Sequence, residues 1–129
     1  MTKSARTATG VLDAHRNAGQ TFTAGGIRSF LRTEGDGDAV VCIHGMLGSS
    51  FAYRKVLREL AARGFRAIAW DLPGFGLADR PAGYDYSWTG LGRFCAAAVT
   101  TLNLDRFHLV VHDIGGPVGF ELAAACPER

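Results

Sequence analysis

The sequence predicts an α/β fold: an N-terminal hairpin, then a mostly parallel sheet with helices on both faces. Three observations carry that expectation. "AVVCIHG", "FRAIAWD" and "RFHLVVHD" are short apolar runs without alternation, the pattern of strands covered on both faces. Between them lie stretches whose apolar residues recur at helical spacing. Strand–helix repeats of this kind close into parallel sheets through right-handed crossovers. A chain of 129 residues gives one domain with room for a real core.

Taken in order, "MTKSARTATGVLDAHRNAGQ" lacks the apolar centre of a signal peptide and is read as a flexible lead-in over residues 1–19, the core domain occupying 20–129. "TFTAGG" and "IRSFLRTEG" alternate and meet at Gly25-Gly26, as a hairpin does. "GDGD" is a tight turn into the first buried strand, "AVVCIHG". In "FAYRKVLRELAARG", Val56, Leu57, Leu60 and Ala61 share a helical face, and Gly64 suits the position just past the helix end. "FRAIAWD" is the next strand, and the Gly- and Pro-rich "LPGFGLADRPAGYDYS" is a loop. Ser87 is placed to cap "WTGLGRFCAAAVTTLNL", whose Leu91, Phe94, Cys95 and Ala98 stripe supports a helix despite Gly90 and Gly92. "RFHLVVHD" follows as a third buried strand, and "GGPVGFELAAACPE" as a helix ending near Pro127.

Composition narrows the partners. A net charge of +2 is too small to suggest nucleic acid, and no apolar run reaches membrane-spanning length, so no membrane partner is expected. Cys42, Cys95 and Cys126 sit in apolar surroundings with no ligand spacing, which reads as free thiols in a reducing, cytoplasmic setting and as no metal site. Neither GxGxxG nor a P-loop occurs, and no cofactor is expected.

In parallel sheets chemistry collects at the carboxyl ends of the strands, here "HGMLGSS", "DLPGFGLADRP" and "HDIGGP". Asp113 poses the sharpest choice. An acid between strand and helix is ordinarily an N-cap, satisfying free amides and the helix dipole. Gly115 and Gly116 shift the choice, because they let the chain turn sharply and the helix press close to the strands. A side chain presented on such a strand–helix elbow is a nucleophile, and a carboxylate, already ionised, can displace a leaving group at carbon to give an ester. Hydrolysing that ester needs an oxyanion hole. Gly45 lets the backbone bend so that the Met46 amide can serve as one donor, and the Ile114 amide, just after the nucleophile, is the natural second. Read alone, His44-Gly45 is equally a plain strand-ending turn. Asp71 is read as anchoring its own turn and Trp70 as packing; Phe75, Tyr86 and Trp88 either line a pocket or belong to the core. Neither Ser49 nor Ser50 stands on an elbow.

Together "VVCIHGMLGSS", "AIAWDLPGFGLADRP" and "HLVVHDIGGPVGFELA" stand in the order and spacing of the α/β-hydrolase superfamily, which the chain resembles from about Thr21 onward. Within it, the chain looks like the Asp-nucleophile branch, the haloalkane dehalogenases and epoxide hydrolases. That resemblance implies a hydrolase acting on a small-molecule alkyl halide or epoxide through an aspartyl ester. It matches Asp113 to the nucleophile, Met46 and Ile114 to the backbone oxyanion donors, and His44-Gly45 to the loop that positions the first donor. The sequence departs from the pattern at Ile114, where dehalogenases usually carry a halide-holding Trp, and at Met46-Leu47, where Asn-Pro is common. His112 instead resembles the epoxide hydrolases.

In this superfamily the order is nucleophile, acid, then His. Arg129 comes one helix after Asp113, so the chain is read as the N-terminal half of the core, truncated after the nucleophile helix, with cap, acid and base beyond it. None of His15, His44, His108 and His112 is read as the base; His112, on a strand, would point away from Asp113. The "HLVVHD" strand is then left at a sheet edge, open to a homodimer or to a complementary C-terminal fragment. The alternative function is accordingly a non-catalytic domain or half-enzyme that binds a partner chain through that edge.

Overall fold

The structure, a computed structural model, describes residues 7–128. In chain order its elements are α1 (Ala8–Asn17), β1 (Gln20–Ala24), β2 (Ile27–Glu34), β3 (Asp38–Ile43), a 3₁₀ turn (Ser50–Tyr53), α2 (Arg54–Ala62), β4 (Phe65–Trp70), α3 (Trp88–Thr101), β5 (Phe107–Val111) and α4 (Gly115–Ala125). The described residues form one five-stranded open sheet in the order β1-β2-β4-β3-β5. The β1–β2 hairpin is antiparallel, and β2 joins β4 antiparallel; β4, β3 and β5 run parallel. Gly25 and Gly26 make the hairpin turn with both φ angles positive, at 57° and 78°.

The unalternating strands are explained by their two covered faces. Val41 and Ile43 of β3, with Ile68 and Trp70 of β4, pack under Leu91, Phe94, Ala98, Val118 and Leu122 of α3 and α4. The intervening Val40, Cys42, Ala67 and Ala69 pack against Tyr53 and Leu57 on the other face. Each buried side chain of this size contributes roughly 1.5–3 kcal/mol by leaving water. α3 starts at Ser87 as its sequence predicts, the hydroxyl accepting from the Gly90 amide at 3.2 Å. Gly92, which weakens α3 on propensity alone, is where α4 comes closest: a Cβ there would lie 2.5 Å from Cβ of Glu121.

Three elements differ from expectation. Of the expected lead-in, residues 1–6 lie outside the described residues, whereas residues 8–17 form α1, capped by Thr7. Its stripe is hard to read because the one buried residue among those described is a histidine, His15. In α2 only Leu57 is buried, and Val56 is exposed. β5, predicted as buried on both faces, is half-exposed; its pairing on one side only, with β3, is the edge position expected for it. Among the described residues no helix is long and apolar enough to cross a membrane.

Candidate active site

β5 ends at Val111 and α4 begins at Gly115, so three residues make the whole change of direction. The turn puts Asp113 at φ 54°, a left-handed conformation that Asn and Asp tolerate better than most side chains. Asp113 does not cap α4: the N-cap position is Ile114, and no side chain caps that end. Its Oδ2 instead accepts a hydrogen bond from the amide of Met46, 67 residues away in sequence, at 2.9 Å. The Met46 amide, and after it the neighbouring Ile114 amide, hold the exposed Asp113 carboxyl below the usual carboxylate range.

Close approach makes this geometry possible. A Cβ on Gly45 would stand 2.6 Å from Cβ of Asp113 and 2.9 Å from Nδ1 of His112. A Cβ on Gly115 would strike the carbonyl oxygen of Ile43 and lie 2.9 Å from that of His44. Gly116 has open space around its missing side chain, so the tight packing of the turn falls on Gly45 and Gly115. His112 lies past the end of β5, and its ring sits beside Gly45 rather than on the far side of the sheet.

The loop carrying Met46 is pinned from beneath. His44 is fully buried; its Nε2 accepts from the Leu72 amide at 3.0 Å, which leaves Nδ1 to donate to the Gly45 carbonyl at 2.9 Å. Burial keeps this ring's pKa below its ordinary value, opposed in part by the Gly45 bond. Asp71 is equally buried. One carboxylate oxygen accepts from the Ser50 amide at 2.7 Å and the other from the Leu77 amide at 2.8 Å. Asp71 therefore anchors its own turn, and it also joins that turn to the loop after β3. This second role leaves no mark in the sequence, because Ser50 lies 21 residues away. Trp70 packs in the core.

Met46 and Ile114 open onto a cavity of about 360 Å³, walled by Phe75, Tyr86 and Trp88 and bordered by Arg80. The three aromatic residues thus line a pocket, and Phe75 also touches the core. His108 is remote: it pairs with Val40, toward the opposite end of the strands, and its ring lies 6.2 Å from that of Phe65. Ser50 is buried and Ser49 caps the 3₁₀ turn, so neither side chain is presented to the cavity as a nucleophile. One oxygen of the Asp113 carboxylate is thus held by the amide of Met46, a residue that lines the aromatic pocket together with Ile114.

The family described as alpha/beta hydrolase fold matches residues 38–129. A haloalkane dehalogenase from Psychrobacter cryohalolentis is 38% identical over 95 residues, covering 73% of this chain and 31% of its own length. A cis-3-alkyl-4-alkyloxetan-2-one decarboxylase from Shewanella oneidensis is 39% identical over 99 residues, covering 74% of this chain and 31% of its own. The crystal structure of an epoxide hydrolase from Vigna radiata superposes with a TM-score of 0.81 at 30% identity, over 86% of this chain and 36% of that one. The chain spans about a third of the length of the curated relatives it matches.

Proposed function

The chain belongs to the alpha/beta hydrolase fold family, and from that premise we propose that Asp113 attacks an alkyl-halide or epoxide carbon of a small molecule held in the aromatic pocket. One carboxylate oxygen forms the C–O bond as the carbon–halogen bond breaks and halide leaves with its electron pair, or as one epoxide C–O bond breaks and its oxygen, still on the alkyl group, takes a proton from water. The product is an ester on Asp113. Water then adds to the ester carbonyl, and the charge that develops on its oxygen is stabilised by the amides of Met46 and Ile114; the 2.9 Å bond from the Met46 amide to Oδ2 supports this. The general base that activates the water, and the acid that orients it, are proposed to lie in the part of such proteins that this chain does not span. Gly45 and Gly115 give the close approach that the turn needs, His44 supports the loop carrying Met46, and Gly116, part of the same elbow, has open space beside it. Three free thiols, two of them in the core, favour a reducing, cytoplasmic setting.

The observation that carries this reading is the 2.9 Å bond from the Met46 amide to a carboxylate on a left-handed strand–helix turn. Incubation with short bromoalkanes and epoxides, followed by intact mass, tests it. The expected result is one added alkyl group that persists, absent from Asp113→Asn. A folded protein that gains no adduct removes Asp113 as nucleophile.

A second reading rests on the edge position of β5, beside the exposed Phe120 of α4. On it the domain is non-catalytic and pairs through β5 with a second copy or a complementary fragment. Sedimentation over a range of concentrations decides this reading, which requires association that a lysine at Val111 suppresses.

A further inference from the structure

α1 lies outside the region that matches the family, and among the described residues His15 is its one buried side chain. His15 is 4% exposed, against 38% and 41% for Val11 and Leu12 of the same helix. Its ring lies between Phe30, with centroids 4.9 Å apart, and Phe51, at 5.2 Å. Nδ1 faces Nη1 of Arg32 at 3.4 Å, and Nε2 faces Oγ of Ser50 at 3.3 Å. A guanidinium only donates, so Nδ1 must be the acceptor and the proton of the neutral ring must sit on Nε2, donating to Ser50. The Ser50 amide in turn donates to Asp71, which pins the loop carrying Met46.

We propose that His15 is a positioning residue: its neutral ring pegs α1 to Ser50 and steadies the Met46–Ser50 loop against Asp113, and protonation withdraws the peg. The inference rests on the reading in which the Met46 amide serves Asp113. A second proton would leave Nδ1 with nothing to accept and set an imidazolium against a buried guanidinium. The charged groups around the ring are Arg32 and its partner Glu34 from β2, Asp71 from the loop after β4, and Arg54 from α2. Burial, then Arg32, pushes the ring's pKa below its ordinary value; Arg54 adds to this and Asp71 opposes it. With the pKa depressed on folding, the unfolded chain binds the proton more readily. The stabilisation is therefore complete above about pH 6.5 and is lost as pH falls below it toward the folded value.

The experiment is a nitrogen-15 NMR titration of this chain from about pH 8 to about pH 5, the window in which histidines titrate. It follows the His15 ring, the Met46 and Ser50 amides, and hydrogen-exchange protection along α1 corrected for intrinsic rates. The Met46 and Ser50 shifts should track the His15 titration, and α1 protection should fall by about tenfold or more across it. His15→Gln supplies a non-titrating acceptor and donor; it should keep α1 protected at the acid end and flatten the Met46 response. A His15 that titrates while Met46 and α1 stay unchanged overturns the proposal, as does an unaltered pH response in His15→Gln. The wild-type titration decides even if the variant fails to fold. No reactant takes part, so this result is distinguishable from failure of Asp113 to form an adduct.

Discussion

Asp113 combines a disfavoured backbone conformation with a carboxylate that accepts from the Met46 amide, 67 residues away in sequence. Such local strain persists only where surrounding contacts over-determine it, and here Met46 and the two close-packed glycines do so. Gly45→Ala and Gly115→Ala should each cost about 1–3 kcal/mol in urea unfolding, because backbone or Cβ atoms occupy the space. Gly116→Ala should stay within about 0.5 kcal/mol. Equal costs at all three positions would contradict the geometry. On the proposed mechanism the attacking form is the carboxylate, and the Asp113 carboxyl is held below its ordinary range. The rate of adduct formation at Asp113 should therefore stay flat as pH falls to the usual carboxylate range and drop only below it. A drop near pH 6 would point to another titrating group. At this scale the sequence marked Asp113, Met46, Ile114 and Gly45 because their types and spacings follow from the elbow itself. It left His15 and the second bond of Asp71 hidden, because those contacts join residues 35 and 21 positions apart.

The strands were legible wherever covering on both faces removes alternation, as in Val40–Ile43 and Ala67–Trp70. α3 was legible because its cap and its apolar stripe agree. α1 was not, since a helix held by one histidine and aromatic rings carries no stripe to count. β5 has the composition of an interior strand but an edge position, and composition alone does not supply a neighbour. Ser87→Ala should cost about 1 kcal/mol by removing the α3 cap, measured by urea titration. Asp71→Asn should cost more, about 1.5–3 kcal/mol, since a charged acceptor shared by two loops is lost. It should also slow adduct formation, because the loop carrying Met46 loses its anchor. Destabilisation with an unchanged adduct rate would separate the Asp71 bridge from the chemistry.

Across the whole molecule, the sheet brings three loops to one end, so residues that follow β3, β4 and β5 share a site although they span more than half of the sequence. The cavity that Met46 and Ile114 line is walled by the long loop after β4 and the start of α3. Among the described residues β5 is the last strand of the sheet, and Val111 and Phe120 are exposed beside it. Localising the alkyl group by tandem mass spectrometry after incubation with a short bromoalkane tests the central claim most directly. The account predicts a single ester on the peptide containing Asp113, at Asp113 itself. Alkylation confined to the cysteines or histidines, with Asp113 unmodified in the folded protein, would contradict it.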